Sequence, residues 1–85
     1  MNEVDIEARV LQLFLEVAPD VDAAKLRRDV AFRDQFDFDS MDTLNFAIGL
    51  HQAFGVEVPE TDYRELASLS KAVAYVARRL HERGG

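Results

Sequence analysis

Asp39-Ser40-Met41-Asp42-Thr43-Leu44-Asn45-Phe46-Ala47-Ile48-Gly49-Leu50-His51-Gln52-Ala53-Phe54-Gly55 is the stretch that decides the fold. It reads as a helix from Ser40 to about Phe54 with both ends signalled. Asp39 is a good N-cap, and Asp42 puts negative charge in the first turn, where the helix dipole favours it. Gly55 is the stop. At roughly 100° per residue, Phe46, Leu50 and Phe54 share one side of this helix, while Met41, Leu44 and Ile48 fall nearly opposite. Asp42, Asn45, Gly49 and Gln52 fill a polar strip between the two. A helix packed on a core needs only one apolar stripe. The larger set, Phe46, Leu50 and Phe54, is expected to face inward. Met41, Leu44 and Ile48 are then left near the surface at the start of the helix, where an exposed apolar stripe points to docking. The alternative is a helix buried all round beneath the phenylalanine-rich segment before it.

Working outward, a first helix runs from about Glu3 to Val17, with Ile6, Val10, Leu13, Phe14 and Val17 on one face. Pro19 and the Asp20-Val21-Asp22 turn end it. A long connection follows, as far as Asp39. Its apolar residues Leu26, Val30, Phe32, Phe36 and Phe38 keep no clean period, and loops of this length are uncommon in compact domains unless they are functional. These side chains are expected to pin the loop over the core. Beyond Gly55, Val56 to Pro59 reads as an extended link and Glu60 to Leu66 as a short helix or turn. The last helix is expected to start with Ser70 as its cap and to bury Leu69, Val73, Val76, Ala77 and Leu80. Gly84-Gly85 reads as a loose tail. The fold class is all-α, an irregular four-helix bundle of three main helices and one short one, with a long loop between the first two. Residues 1–85 form one domain.

Composition narrows the function. The 85 residues allow one small core, and the absence of cysteine excludes disulfides and thiolate metal sites. Any thioester chemistry needs a borrowed thiol. No apolar run approaches the ~20 residues that span a bilayer, and Met-Asn-Glu-Val-Asp is not a basic signal-peptide start, so a cytoplasmic protein is expected. The net charge of −6 is unevenly placed. Between Arg33 and Arg64 there is no Lys or Arg, yet there are seven acids: Asp34, Asp37, Asp39, Asp42, Glu57, Glu60 and Asp62. Such a surface disfavours nucleic acid and suits a partner with a basic surface, because opposite potentials steer encounter.

Asp39-Ser40-Met41-Asp42-Thr43-Leu44 resembles the acyl carrier protein motif, in which an Asp-Ser pair opens the second helix. Phe54-Gly55-Val56-Glu57-Val58-Pro59 is similar to that family's Phe-Gly-x-Glu-x-Pro link. The resemblance covers Phe32 to about Leu80, while the N-terminal helix fits only by pattern, and two motifs at the family's spacing are far more specific than a lone Asp-Ser. The resemblance implies that the Ser40 hydroxyl takes a 4′-phosphopantetheine arm from coenzyme A, with Asp39 as the helix cap beside it. The arm supplies the thiol that the chain lacks. Backbone N–H groups at a helix start also favour an attached phosphate. The implied partners are a phosphopantetheinyl transferase and the acyl- or aminoacyl-loading and downstream biosynthetic enzymes, docking over Asp39, Met41, Asp42, Leu44 and Ile48. A monomer is expected.

The departures from the family pattern are specific. Asp37 replaces the glycine usual before the Asp-Ser pair. Asn45, His51, Gln52 and Ala53 stand where fatty-acid members carry glutamates. A specialised carrier serving a dedicated synthase or ligase fits better than a housekeeping one. Peptide-synthetase carriers often have Gly-Gly before the serine pair, and Phe38-Asp39-Ser40 does not. D-alanyl carriers share the Asp-Ser-Met type of start and remain open.

Other classes explain less. His51 lies three helical turns from Ser40, too far for a triad hydrogen bond, so no enzyme is read here. An EF-hand starting at Asp37 would place Met41, Asp42 and Ile48 at its third-ligand, glycine and final-glutamate positions, and no metal site is expected. A helical interaction module without a prosthetic group explains the acidic surface and the second stripe but not the paired motifs.

Overall fold

A computed structural model of the chain describes residues 2–84, with side chains as far as Glu82. Helix α1 spans Glu3–Val17, capped by Asn2, whose side chain accepts the Asp5 amide at 2.9 Å. A 3-10 turn, Ala23–Lys25, and a four-residue helix α2, Phe32–Gln35, punctuate the long connection. Helix α3 spans Ser40–Phe54, a 3-10 helix spans Glu60–Leu66, and helix α4 spans Leu69–Gly84. There is no strand among the described residues. The architecture is the expected irregular helical bundle: α1 lies against both α3 and α4, and the Glu60–Leu66 turn meets α3 and α4.

Five phenylalanines hold the bundle to its loop. Phe14 of α1 stacks on Phe32 with ring centroids 4.0 Å apart and meets Phe38 at 5.4 Å, Phe36 at 6.2 Å and Phe46 of α3, edge-on, at 5.8 Å. The connection after α1 therefore does what its irregular apolar residues imply: it lays anchors onto a core that α1 and α3 share. Offset and edge-on aromatic pairs add roughly 0.5–1.5 kcal/mol each beyond the area they bury. Polar clasps complete the loop. Gln35 donates to the carbonyls of Arg27 and Val30 and accepts the Arg27 amide, each at 2.7 Å. Arg28 pairs with Glu7 of α1, and its backbone carbonyl accepts the Ser70 amide at 2.9 Å.

The core of α3 is Phe46, Ala47 and Leu50. Phe54 lies on the inward side as expected, but in the last turn at the edge of the core, and it is half-buried rather than enclosed. On α1, Ile6, Val10, Leu13 and Phe14 are buried, while Val17 is half-exposed at the helix end. Helix α4 buries Leu69, Val73 and Val76, leaves Ala77 and Leu80 half-buried, and also buries Ala72 and Tyr75. Tyr75 is admitted because its hydroxyl is satisfied: it donates to Asp62 at 2.8 Å and accepts from Arg79 at 2.7 Å. Burial raises the Tyr75 pKa, and the bond to Asp62 raises it further, which keeps the hydroxyl a donor.

The cap of α4 is Ser68, not Ser70. The helix begins at Leu69. The Ser68 hydroxyl accepts the Lys71 amide at 3.2 Å, whereas the Ser70 amide is drawn away to the loop. Helix α4 extends to Gly84, so only Gly85 of the expected tail remains, and it lies outside the described residues. Ser68→Ala should lower stability by about 1 kcal/mol, the usual cost of losing a cap. Ser70→Ala should cost less, and urea unfolding midpoints of the two variants decide between them.

Candidate functional site

The start of α3 is built by its cap. The Asp39 carboxylate accepts the Met41 amide at 3.0 Å and the Asp42 amide at 3.1 Å. Asp42 reaches back to accept the Asp39 amide at 3.0 Å, closing a capping box. Upstream, Phe38 is held against Phe14 and Phe32, so the chain enters this helix from an anchored segment. Downstream, Gly55 ends the helix in the left-handed conformation, φ 69°, and its amide bonds the His51 carbonyl at 2.8 Å. That φ suits a residue without a Cβ.

Ser40 is thus the first residue of a helix fixed at both ends. It is exposed, and its hydroxyl bonds to no described residue. The amides of Met41 and Asp42, which were to favour an attached phosphate, are already taken by Asp39, and the Thr43 amide is taken by the Asp39 carbonyl. Countercharge has to come from side chains.

Two surfaces flank Ser40. On the helix itself, Met41 is 60% and Ile48 45% exposed, with Leu44 half-buried beside them. This is the second apolar stripe, at the surface as expected. Ile48 also borders a shallow cavity of about 410 Å³ shared with Val58, Pro59 and Tyr63. Asp39 is exposed and Asp42 half-buried next to the stripe. Asn45, His51 and Gln52 are exposed, so no carboxylate projects from α3 beyond Asp42. Next to the first cavity, a second of about 590 Å³ opens on Ser40, is bordered by Arg33, Arg64 and Lys71, and shares Tyr63 with the first. Sequence reading missed this flank. Arg33 and Arg64 mark the ends of an acidic segment along the chain, and folding returns both ends to the serine within it. Nothing in their local sequence signals that meeting.

An exposed, unbonded hydroxyl on a rigid helix start, next to open space and cations, has the chemistry to hold a phosphate ester. Residues 8–76 match the family described as a phosphopantetheine attachment site, and the chain belongs to that family. Its members are carrier proteins, not enzymes, and their prosthetic group is a covalently attached 4′-phosphopantetheine. The chain is similar to the acyl carrier protein of Rubrobacter xylanophilus, 30% identical over 70 residues that cover 79% of this chain and 86% of the relative. It is 29% identical over 76 residues to that of Lactobacillus johnsonii, covering 89% and 94%. With the acyl carrier protein of Guillardia theta it shares 26% over 80 residues, covering 94% and 98%. A carrier of this family works with a phosphopantetheinyl transferase and with biosynthetic enzymes. Among the described residues, no helix is long and apolar enough to cross a membrane.

Proposed function

We propose that Ser40 carries the 4′-phosphopantetheine arm and that the protein presents an acyl or aminoacyl thioester on it to the enzymes of a specialised pathway. The observation that carries this reading is the exposed, unbonded Ser40 hydroxyl at the capped start of α3. In the loading step Ser40 Oγ attacks the pantetheine-bearing phosphorus of coenzyme A, displaces adenosine 3′,5′-bisphosphate from it and gives up its proton. The bound arm supplies the thiol on which cargo is held as a thioester. The chain acts as a cytoplasmic monomer, with Asp39 keeping the helix start in place. Incubation of the apo-protein with coenzyme A and a broad-specificity phosphopantetheinyl transferase tests the reading: intact mass should rise by one arm. An unchanged mass favours the interaction-module reading.

Partner enzymes dock beside Ser40, on Met41, Leu44 and Ile48, with Asp39 and Asp42 meeting a basic rim. The buried centre of such a contact carries most of its energy, and rim charges mainly speed encounter. Because Asn45, His51 and Gln52 replace glutamates on the exposed face, recognition rests more on apolar contact and is less sensitive to salt than in glutamate-rich carriers. Ile48→Ala should weaken a cognate partner's use of the loaded carrier while leaving the fold intact, since Ile48 is already 45% exposed. Fatty-acid enzymes should use the wild type poorly. Partner kinetics and melting curves check both points: an unfolded Ile48→Ala would place the stripe in the core, and full activity with fatty-acid enzymes would remove the specialised role.

A further inference from the structure

The cavity beside Ser40 has an unusual charge balance for so acidic a protein. Arg33, Arg64 and Lys71 border it, all three exposed. None forms an ion pair with an acid among the described residues, whereas Arg28, Arg78 and Arg79 each do. The one acid on its border is Asp39, whose carboxylate is engaged by the two amides of the α3 cap. Three like charges around one cavity repel one another, and an anion placed among them relieves that repulsion. Phe38 and Tyr63 add aromatic surface to the same walls.

We propose that this cavity is the resting seat of the arm. The inference builds on attachment at Ser40, which itself borders the cavity. The phosphodiester on Ser40 lies among Arg33, Arg64 and Lys71, which replace the helix amides that Asp39 has taken. The pantetheine chain continues along Phe38 and Tyr63. The seat shares Tyr63 with the shallow cavity that Ile48 borders, but Met41, Leu44 and Ile48 do not line it, so the arm rests beside the docking stripe without covering those three side chains.

The test compares apo and holo protein by amide chemical shifts, after intact mass has shown one arm on each holo sample. In the wild type, shifts should extend past the neighbours of Ser40 to Tyr63, Arg64, Ala67 and Lys71. In holo Arg64→Gln/Lys71→Gln, and in the wild type at 0.5 M salt (roughly a 4 Å screening length), the distant shifts should fall at least twofold. The apo spectrum of the double variant confirms its fold. Wild-type shifts confined to residues 37–44 would overturn the seat while leaving attachment at Ser40 standing. Distant shifts unchanged in the double variant would overturn the role of the cations. A protein that gains no arm defeats both the attachment and the seat, and the mass measurement alone reveals it.

Discussion

Phe14→Ala is expected to lower stability by roughly 3–5 kcal/mol, the usual cost of deleting a buried aromatic ring and leaving its cavity. Phe14 is fully buried and touches four other phenylalanine rings, from the loop and from α3. Among the described residues, no other side chain joins α1, the loop and α3 through as many ring contacts. A domain of this size has a total stability on the order of 5–10 kcal/mol. The melting temperature should therefore fall by roughly 15–30 °C, at about 4–8 °C per kcal/mol. Phe54→Ala is the internal comparison. Its ring is half-buried at the edge of the core, so the loss should be roughly 1–3 kcal/mol. Equal melting temperatures for the two variants would show that the aromatic cluster is not what holds the loop to the helices.

Ser40→Ala is expected to abolish attachment of the arm and leave the fold unchanged. The hydroxyl bonds to no described residue, and the Asp39–Asp42 capping box stays intact without it. Alanine is the better helix former, so stability should move by no more than about 0.5 kcal/mol. This separates chemistry from structure: the variant should melt with the wild type and unfold at the same urea concentration, yet gain no mass with coenzyme A and transferase. Ser40→Ala that loads like the wild type would move the attachment point elsewhere. Ser40→Ala that unfolds would leave its failure to load without meaning for the hydroxyl.

The boundaries of α3 were legible because both signals are local. Asp39 caps through its own side chain, and Gly55 supplies a conformation that few other residues adopt. The faces of α1 and the surface position of Met41 and Ile48 followed from periodicity. The interior of the long loop did not, because Phe32, Phe36 and Phe38 are anchors on irregular backbone and obey no helical or strand period. Gln35 shows the same limit: its three hydrogen bonds go to a bend that only the folded chain creates. Ser68 and Ser70 are equally good caps by type. The choice falls to Ser68 because the Ser70 amide is bound by the loop carbonyl of Arg28. Burial of Tyr75 was not legible, because the partner that satisfies its polar tip, Asp62, lies thirteen residues away. The cations beside Ser40 were hidden for a related reason. Charge counted along the chain made their neighbourhood acidic, while the fold gathers Arg33, Arg64 and Lys71 from three separate elements.

The central claim is that the arm is carried by Ser40, and the most direct measurement is peptide mass mapping of the protein after incubation with coenzyme A and a phosphopantetheinyl transferase. The absence of Lys and Arg between Arg33 and Arg64 means that trypsin releases Ser40 within one peptide, Asp34 to Arg64, separate from Ser68 and Ser70. That peptide should carry the mass of one phosphopantetheine, and its fragment ions should place the mass on Ser40. An unmodified Asp34–Arg64 peptide, or an arm found on the peptide that holds Ser68 and Ser70, would contradict the account.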